Sequence, residues 1–387
     1  MDSVCPCTEA GIRTAIAEGG GPFTFNCDGP TTVVTEAEIV IDSDVILDGE
    51  GNLTVNGNEA HRVFSASETV TVEIQGFTVT KGLVVDQGDG AGILNDGTLT
   101  LTNCTISGNG TRSWAVYGGG IYNTGTLTLT NSTVSGNAGV QGAGILNDGT
   151  LTLTNTTVSA NTALSQGGGV ANAGTLTLSN TSVSSNNAIE GTGGGIANIS
   201  GTLTLTDSTV SGNIAPWGGG LSNFEGPLTL TNSTVSNNTS MESGGGIASY
   251  DGPLMLTHST VTGNTASLGC GGIYNSAGSL TVSNSLVDGE CEVRELGVTT
   301  SNGYNIESSA DTCGFDQGTD QVDVTANELS LGLLADNGGP TMTHALLPGS
   351  VAIDVIPVEM CQEDEDQRGE SRPGGTRCDV GAFEVQP

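Results

Sequence analysis

The chain has 387 residues, 61 of them glycine, with only 4% aromatic and 13% charged, too few large side chains for an ordinary mixed core. Its 42 acidic and 8 basic residues give a net charge of −34, which leaves nothing to neutralise a phosphate backbone and excludes nucleic acid as a partner. Val, Ile and Leu are nonetheless frequent and regularly placed, so low-complexity disorder is a poor description and a repetitive all-β fold is expected.

No apolar run is long enough to span a membrane. The start "MDSVCPCTEA" lacks the basic and apolar segments of a leader. Nine cysteines, clustered near the two ends, point to an oxidising location. The expectation is a secreted or cell-surface protein whose leader peptide is absent from this chain.

In chain order, residues 1–30 form an N-terminal cap. Within it "TEAGIRTAIAE" (8–18) predicts a short helix with Thr8 as N-cap and Ile12, Ala15 and Ile16 on one face, a lid for the first coil. Residues 31–80 read as irregular coils. From 92 to 288 a unit recurs at spacings of 24 to 28 residues, marked by asparagine-like residues at three positions. The first position holds Asn95, Asn123 and Asn147, the second Asn103, Asn131 and Asn155, and the third Asn109, Asn137 and Asn161, each set continuing down the chain. "TLTLT" alternates, so Leu127 and Leu129 face one way and Thr126, Thr128 and Thr130 the other. "STVS" puts Val134 inward, and "GGGIYN" supplies Ile121. Three short strands per unit make one coil of a parallel β-helix, and a coil cannot bury its apolar face without a neighbour. The asparagines are expected to serve as left-handed bends and as amide ladders between coils. On that view the N-x-S/T triplets at Asn103, Asn131, Asn155 and Asn232 follow from the repeat rather than from glycosylation.

Residues 289–387 lose the repeat and gain cysteines, prolines and acids, as a C-terminal cap over the open end of the strands would. Bridged Cα atoms must lie within about 7 Å. The local pairs are therefore Cys291 with Cys313, Cys361 with Cys378, and Cys27 with Cys5 or Cys7. Cys104 and Cys270 lie too many coils apart to join.

Three stretches resemble known bacterial surface proteins. "CTEAGIRTAIAEGGGPFTF" is similar to the CSLREA-type amino-terminal motif. The GGGI/N units resemble those of polymorphic outer-membrane-protein-like β-helices. "LADNGGPTMTHALLPGSVAIDV" and "DQRGESRPGGTRCDVGAFE" resemble the choice-of-anchor-Q domain. The resemblance implies a right-handed single-stranded parallel β-helix, exported and displayed or released by a bacterium. Members often continue into an anchoring segment, whereas this sequence stops at Pro387.

The repeat itself offers little chemistry. Residues 92–288 hold one base, Arg112, and their acids are scattered over different loops, so a non-catalytic surface, adhesive or structural role is expected. A polysaccharide lyase or hydrolase is the alternative. Coil length varies in one turn only, the one preceding "GGG", and insertions in a solenoid gather on its binding face. That turn carries Trp114, Tyr117, Glu190, Trp217, Met241 and Glu242, the candidate contacts for a glycan or protein. Further alternatives are head-to-tail self-association into a filament and an ice-binding Thr array on the outward "TLTLT" face. No cofactor is expected. Calcium is conceivable near Asp86 and Asp89 and near Glu363 to Asp366, although neither matches a defined loop.

Overall fold

The computed structural model describes residues 3–84, 88–111 and 116–387. The chain forms two compact units, residues 1–176 with 186–189, and residues 177–185 with 190–387.

In the first unit each regular coil has the same parts. A Leu strand alternates in and out (Thr98–Thr102, Thr126–Thr130, Thr150–Thr154). A Val strand follows (Thr105–Ser107, Thr133–Ser135, Thr157–Ser159), and an Ile strand opens the coil (Ile93–Asn95, Ile121–Asn123, Ile145–Asn147). Each pairs in parallel with its counterpart, so Leu99 lies on Leu127 and Leu151, Ile106 on Val134 and Val158, and Ile93 on Ile121 and Ile145. All these side chains are buried. Each contributes about 1.5–3 kcal/mol relative to exposure, and each can do so only because the next coil covers it.

The three asparagine positions do different work. At the first, Asn95 Nδ2 donates to Asn123 Oδ1 at 2.7 Å, and Asn123 donates to Asn147 at 2.7 Å. At the third, Asn109 donates to Asn137 at 3.1 Å and Asn137 to Asn161 at 3.0 Å, while the Asn109 N–H also reaches Asn137 Oδ1. Both ladders are buried. The second position forms no such ladder in this unit, which corrects the expectation. Asn103, Asn131 and Asn155 have φ of 54°, 50° and 49° and exposed side chains. Asparagine stands there because it tolerates left-handed backbone, and in the preceding coil Gly76 takes the same place with φ 62°. The ladder beside this bend belongs to the next residue: Ser132 Oγ accepts from the Cys104 N–H at 3.0 Å and donates to Thr130 O at 2.8 Å.

The glycines before the Ile strand follow from these ladders. Gly118 holds φ 63°, which L-residues avoid. A Cβ on Gly120 would lie 3.0 Å from Asn137 Nδ2, against the amide of the third ladder.

At the amino end the helix Glu9–Glu18 is capped by Thr8, whose side chain accepts from the Gly11 N–H, and buries Ile12, Ala15 and Ile16. Arg13 ties it to the carbonyls of Ala37 and Glu38. Cys7 is bridged to Cys27. Beneath lie Phe25, Phe77 and Phe64, with Phe25 edge-on to Phe77 at 5.8 Å.

The second unit keeps the three columns: Leu203, Leu228, Leu254 and Leu280; Val210, Val235, Val261 and Val287; Leu221, Ile247 and Ile273. The capping region first extends them, with Cys291–Val293, Val298–Ser301 and Ile306–Ser308 each stacked on the coil before. Cys291 is bridged to Cys313 and Cys361 to Cys378. The final fifty or so residues then turn back along the flank of the coils. Thr341 donates to Asp207 O, Thr209 to Met342 O and Thr234 to Gln367 Oε1, and the Gly381 N–H reaches Asn284 O. This arm is locked by Arg372, whose fully buried side chain pairs with the fully buried Glu384 at 2.9 Å and donates to the carbonyls of Gly381 and Asp379. The capping region therefore covers a side of the coils as well as lengthening the stack.

Candidate binding face

In the second unit the variable turns run as short paired strands, Ile214–Ala215, Thr239–Ser240 and Thr265–Ala266. The residues after them stack as well, since Met241 N–H bonds to Ala215 O and Glu242 N–H to Pro216 O. This stacking sets Ile214, Met241 and Leu268 at 43%, 53% and 77% exposure along one face.

Beside them lies an aromatic group. Trp217 packs on Tyr274 with ring centroids 5.9 Å apart, Tyr274 on Tyr250 at 6.0 Å, and Tyr250 stacks on Phe224 at 4.8 Å with an interplanar angle of 13°. Tyr274 is nearly buried, whereas Trp217, Phe224 and Tyr250 are half-exposed. Burial, with Tyr274 beside it, pushes the Tyr250 hydroxyl well above its ordinary range, so it stays protonated and able to donate. Arg294 lies 5.9 Å from the Tyr274 ring and pairs with Glu292 at 2.6 Å, and Ser243 Oγ reaches Glu292 at 3.4 Å. The buried thiol of Cys270 sits under the group, pushed up to about 11 by burial and therefore no nucleophile at neutral pH.

A description that reads right handed beta helix region matches residues 26–189 and, in an overlapping span, 120–287. The chain belongs to the right-handed β-helix family. Among solved structures, the crystal structure of pectate lyase Pel9A is similar with a TM-score of 0.44 and 12% identity, over 96% of this chain and 90% of that one. No curated protein matches. Among the described residues no helix is long and apolar enough to cross a membrane. The disulfides of this β-helix accord with an oxidising environment.

Of the turn residues singled out in the sequence, the β-helix brings Trp217, Met241 and Glu242 together on this face, with Glu190 exposed in the same unit. Trp114 lies outside the described residues. Tyr117 belongs to the first unit, where Val116–Tyr117 pairs with Gly88–Asp89 and leaves Tyr117 40% exposed. Sequence reasoning passed over Phe224, Tyr250 and Tyr274. The signal was available, because Phe224 and Tyr250 both follow the first asparagine-like position of their coils and must stack.

The first unit carries a second polar group. Tyr122 Oη donates to Asp148 at 2.6 Å and Thr124 Oγ1 to Asp96 at 2.7 Å. Burial raises the Asp89 carboxyl, nearby Arg62 opposes the shift, and Asp148 and Asp96 add to it. Arg62 also donates to the Asp89 carbonyl at 2.8 Å. Acids far apart in sequence thus share one neighbourhood. Asp86, named with Asp89 for calcium, lies outside the described residues. Among the described residues no three His, Cys, Asp or Glu side chains form a metal-binding group.

Proposed function

We propose that this β-helix is a non-catalytic, exported binding protein whose variable-turn face in the second unit takes a glycan. The observation that carries this reading is the half-exposed group of Trp217, Phe224 and Tyr250 beside the apolar Met241 and Leu268. Such a surface offers ring faces and edges to the C–H side of a sugar. Glu242, Glu292 and the Tyr250 hydroxyl supply acceptors and a donor for its hydroxyls. The acidic setting favours neutral or amino sugars over uronates.

A catalytic reading rests on a different place, the Asp89, Asp96 and Asp148 neighbourhood. A carboxyl raised by burial, with two further carboxylates beside it, is the pattern of a general acid.

A glycan array read with the full chain and with the Trp217→Ala/Tyr250→Ala double variant tests the proposal. Binding of neutral or amino glycans by the parent, lost at least tenfold in the variant, is the expected result. Equal binding by both would remove the face. New reducing ends on a bound glycan would transfer the argument to the acidic neighbourhood.

A further inference from the structure

The aromatic group of the second unit already holds one cation of the chain's own. The Arg294 guanidinium lies 5.9 Å from the Tyr274 ring centre and 2.6 Å from Glu292, and its side chain is 60% exposed. It is held from the solvent side, between the electron-rich face of a ring and a carboxylate. Arg294 is also the one Lys or Arg between residues 190 and 367. The rest of the face therefore has no base of its own.

It does have acids, at both ends of the Ile strands that carry the rings. Phe224 and Tyr250, which stack on one another, are each followed by an exposed carboxylate, Glu225 and Asp251. The Asp251 N–H bonds to Phe224 O, so these two acids sit one coil apart, ~4.8 Å along the stack. Before the strands, Glu242 lies one coil on from Trp217, its N–H bonded to Pro216 O. Among the described residues none of Glu225, Glu242 and Asp251 is ion-paired.

Resting on the glycan reading of this face, we infer that its ligand is a chain of amino sugars whose amines are free and protonated. The amines meet Glu225, Asp251 and Glu242, and the C–H sides of the rings meet Trp217 and Tyr250. Ring face and carboxylate then hold each ammonium as they hold Arg294. Spacing favours a glycan over a basic peptide. One pyranose unit is close to one coil in length, so its charges keep step with Glu225 and Asp251. Side chains on one side of an extended peptide recur only every ~6.6 Å and fall out of step with coils ~4.8 Å apart. N-acetylation removes the charge and leaves the sugar ring, so the amine and ring contributions can be measured separately.

Isothermal titration of the full chain compares glucosamine oligomers with N-acetylglucosamine oligomers of the same length, at a mildly acidic pH that keeps the sugar amines protonated. The parent should bind the free-amine oligomers at least tenfold more tightly. Glu225→Gln/Asp251→Asn should remove most of that preference and leave binding of the acetylated oligomers unchanged. Trp217→Ala/Tyr250→Ala should weaken both ligands at least tenfold. Melting temperatures check that the variants are folded. Equal binding of the two ligands by the parent, lost in the aromatic variant, would overturn the inference and leave the glycan reading standing. Binding of neither would overturn both. A preference that survives in the acid variant, or free-amine oligomers held equally by the parent and the aromatic variant, would mean attraction to the acidic surface at large and overturn the inference. Oligolysine bound as tightly as the free-amine oligomers, and lost in the aromatic variant, would overturn it in favour of a basic protein segment.

Discussion

At the scale of single residues, two asparagines that look alike in sequence have opposite sensitivities. Asn161 sits in the third ladder, where its Oδ1 accepts from the Asn137 N–H and side chain and its Nδ2 donates to Val134 O. Asn161→Ala leaves those buried groups unsatisfied, and a loss of about 2–4 kcal/mol is expected. Asn155 only turns the chain at φ 49°, with its side chain in solvent. Asn155→Gly keeps that turn, and a change within about 1 kcal/mol is expected. Chemical denaturation of both variants measures the contrast. Equal losses would mean that the second position contributes an amide ladder after all. The spacing in the sequence marks all three positions equally, because a bend and a ladder both recur once per coil. Only the direction of the side chain separates them, and that direction follows from the sign of φ.

At the scale of elements, the coils were legible and the arm was not. Strict alternation in "TLTLT" decides which residues face inward, and a constant spacing from Leu strand to Val strand decides what stacks on what. The helix under Thr8 was legible for a similar reason, its cap and apolar face being local signals. Residues 337–387 carry no period, and their partners lie more than a hundred positions away, as for Thr209 with Met342. The aromatic group was less legible because its rings come from two places, Tyr274 on the Ile strand and Phe224 and Tyr250 just after it, outside the turn whose length varies. The arm is held by a buried ion pair, whose rupture on one side leaves an uncompensated charge. Arg372→Ala strands Glu384, at a cost of about 3–5 kcal/mol. Limited proteolysis should then cut within 337–387 while the coils resist. Unchanged resistance of the arm would show that Arg372 does not hold it.

For the whole molecule the controlling quantity is charge. Among the described residues Arg13, Arg62, Arg294, Arg368 and Arg372 are each paired with one carboxylate, which leaves most of the 42 acids without a cationic partner. Folding brings these acids closer than they are in the open chain, so their repulsion opposes the native state. Salt shortens the reach of that repulsion from about 30 Å at 0.01 M to about 3 Å at 1 M ionic strength. The few ion pairs lose attraction under the same screening, but the most deeply buried, Arg372 with Glu384, is largely shielded from it. Screening of repulsion therefore dominates. The melting temperature, followed by calorimetry in EDTA, should rise between these two NaCl concentrations. A fall would mean that the paired charges outweigh the unpaired ones.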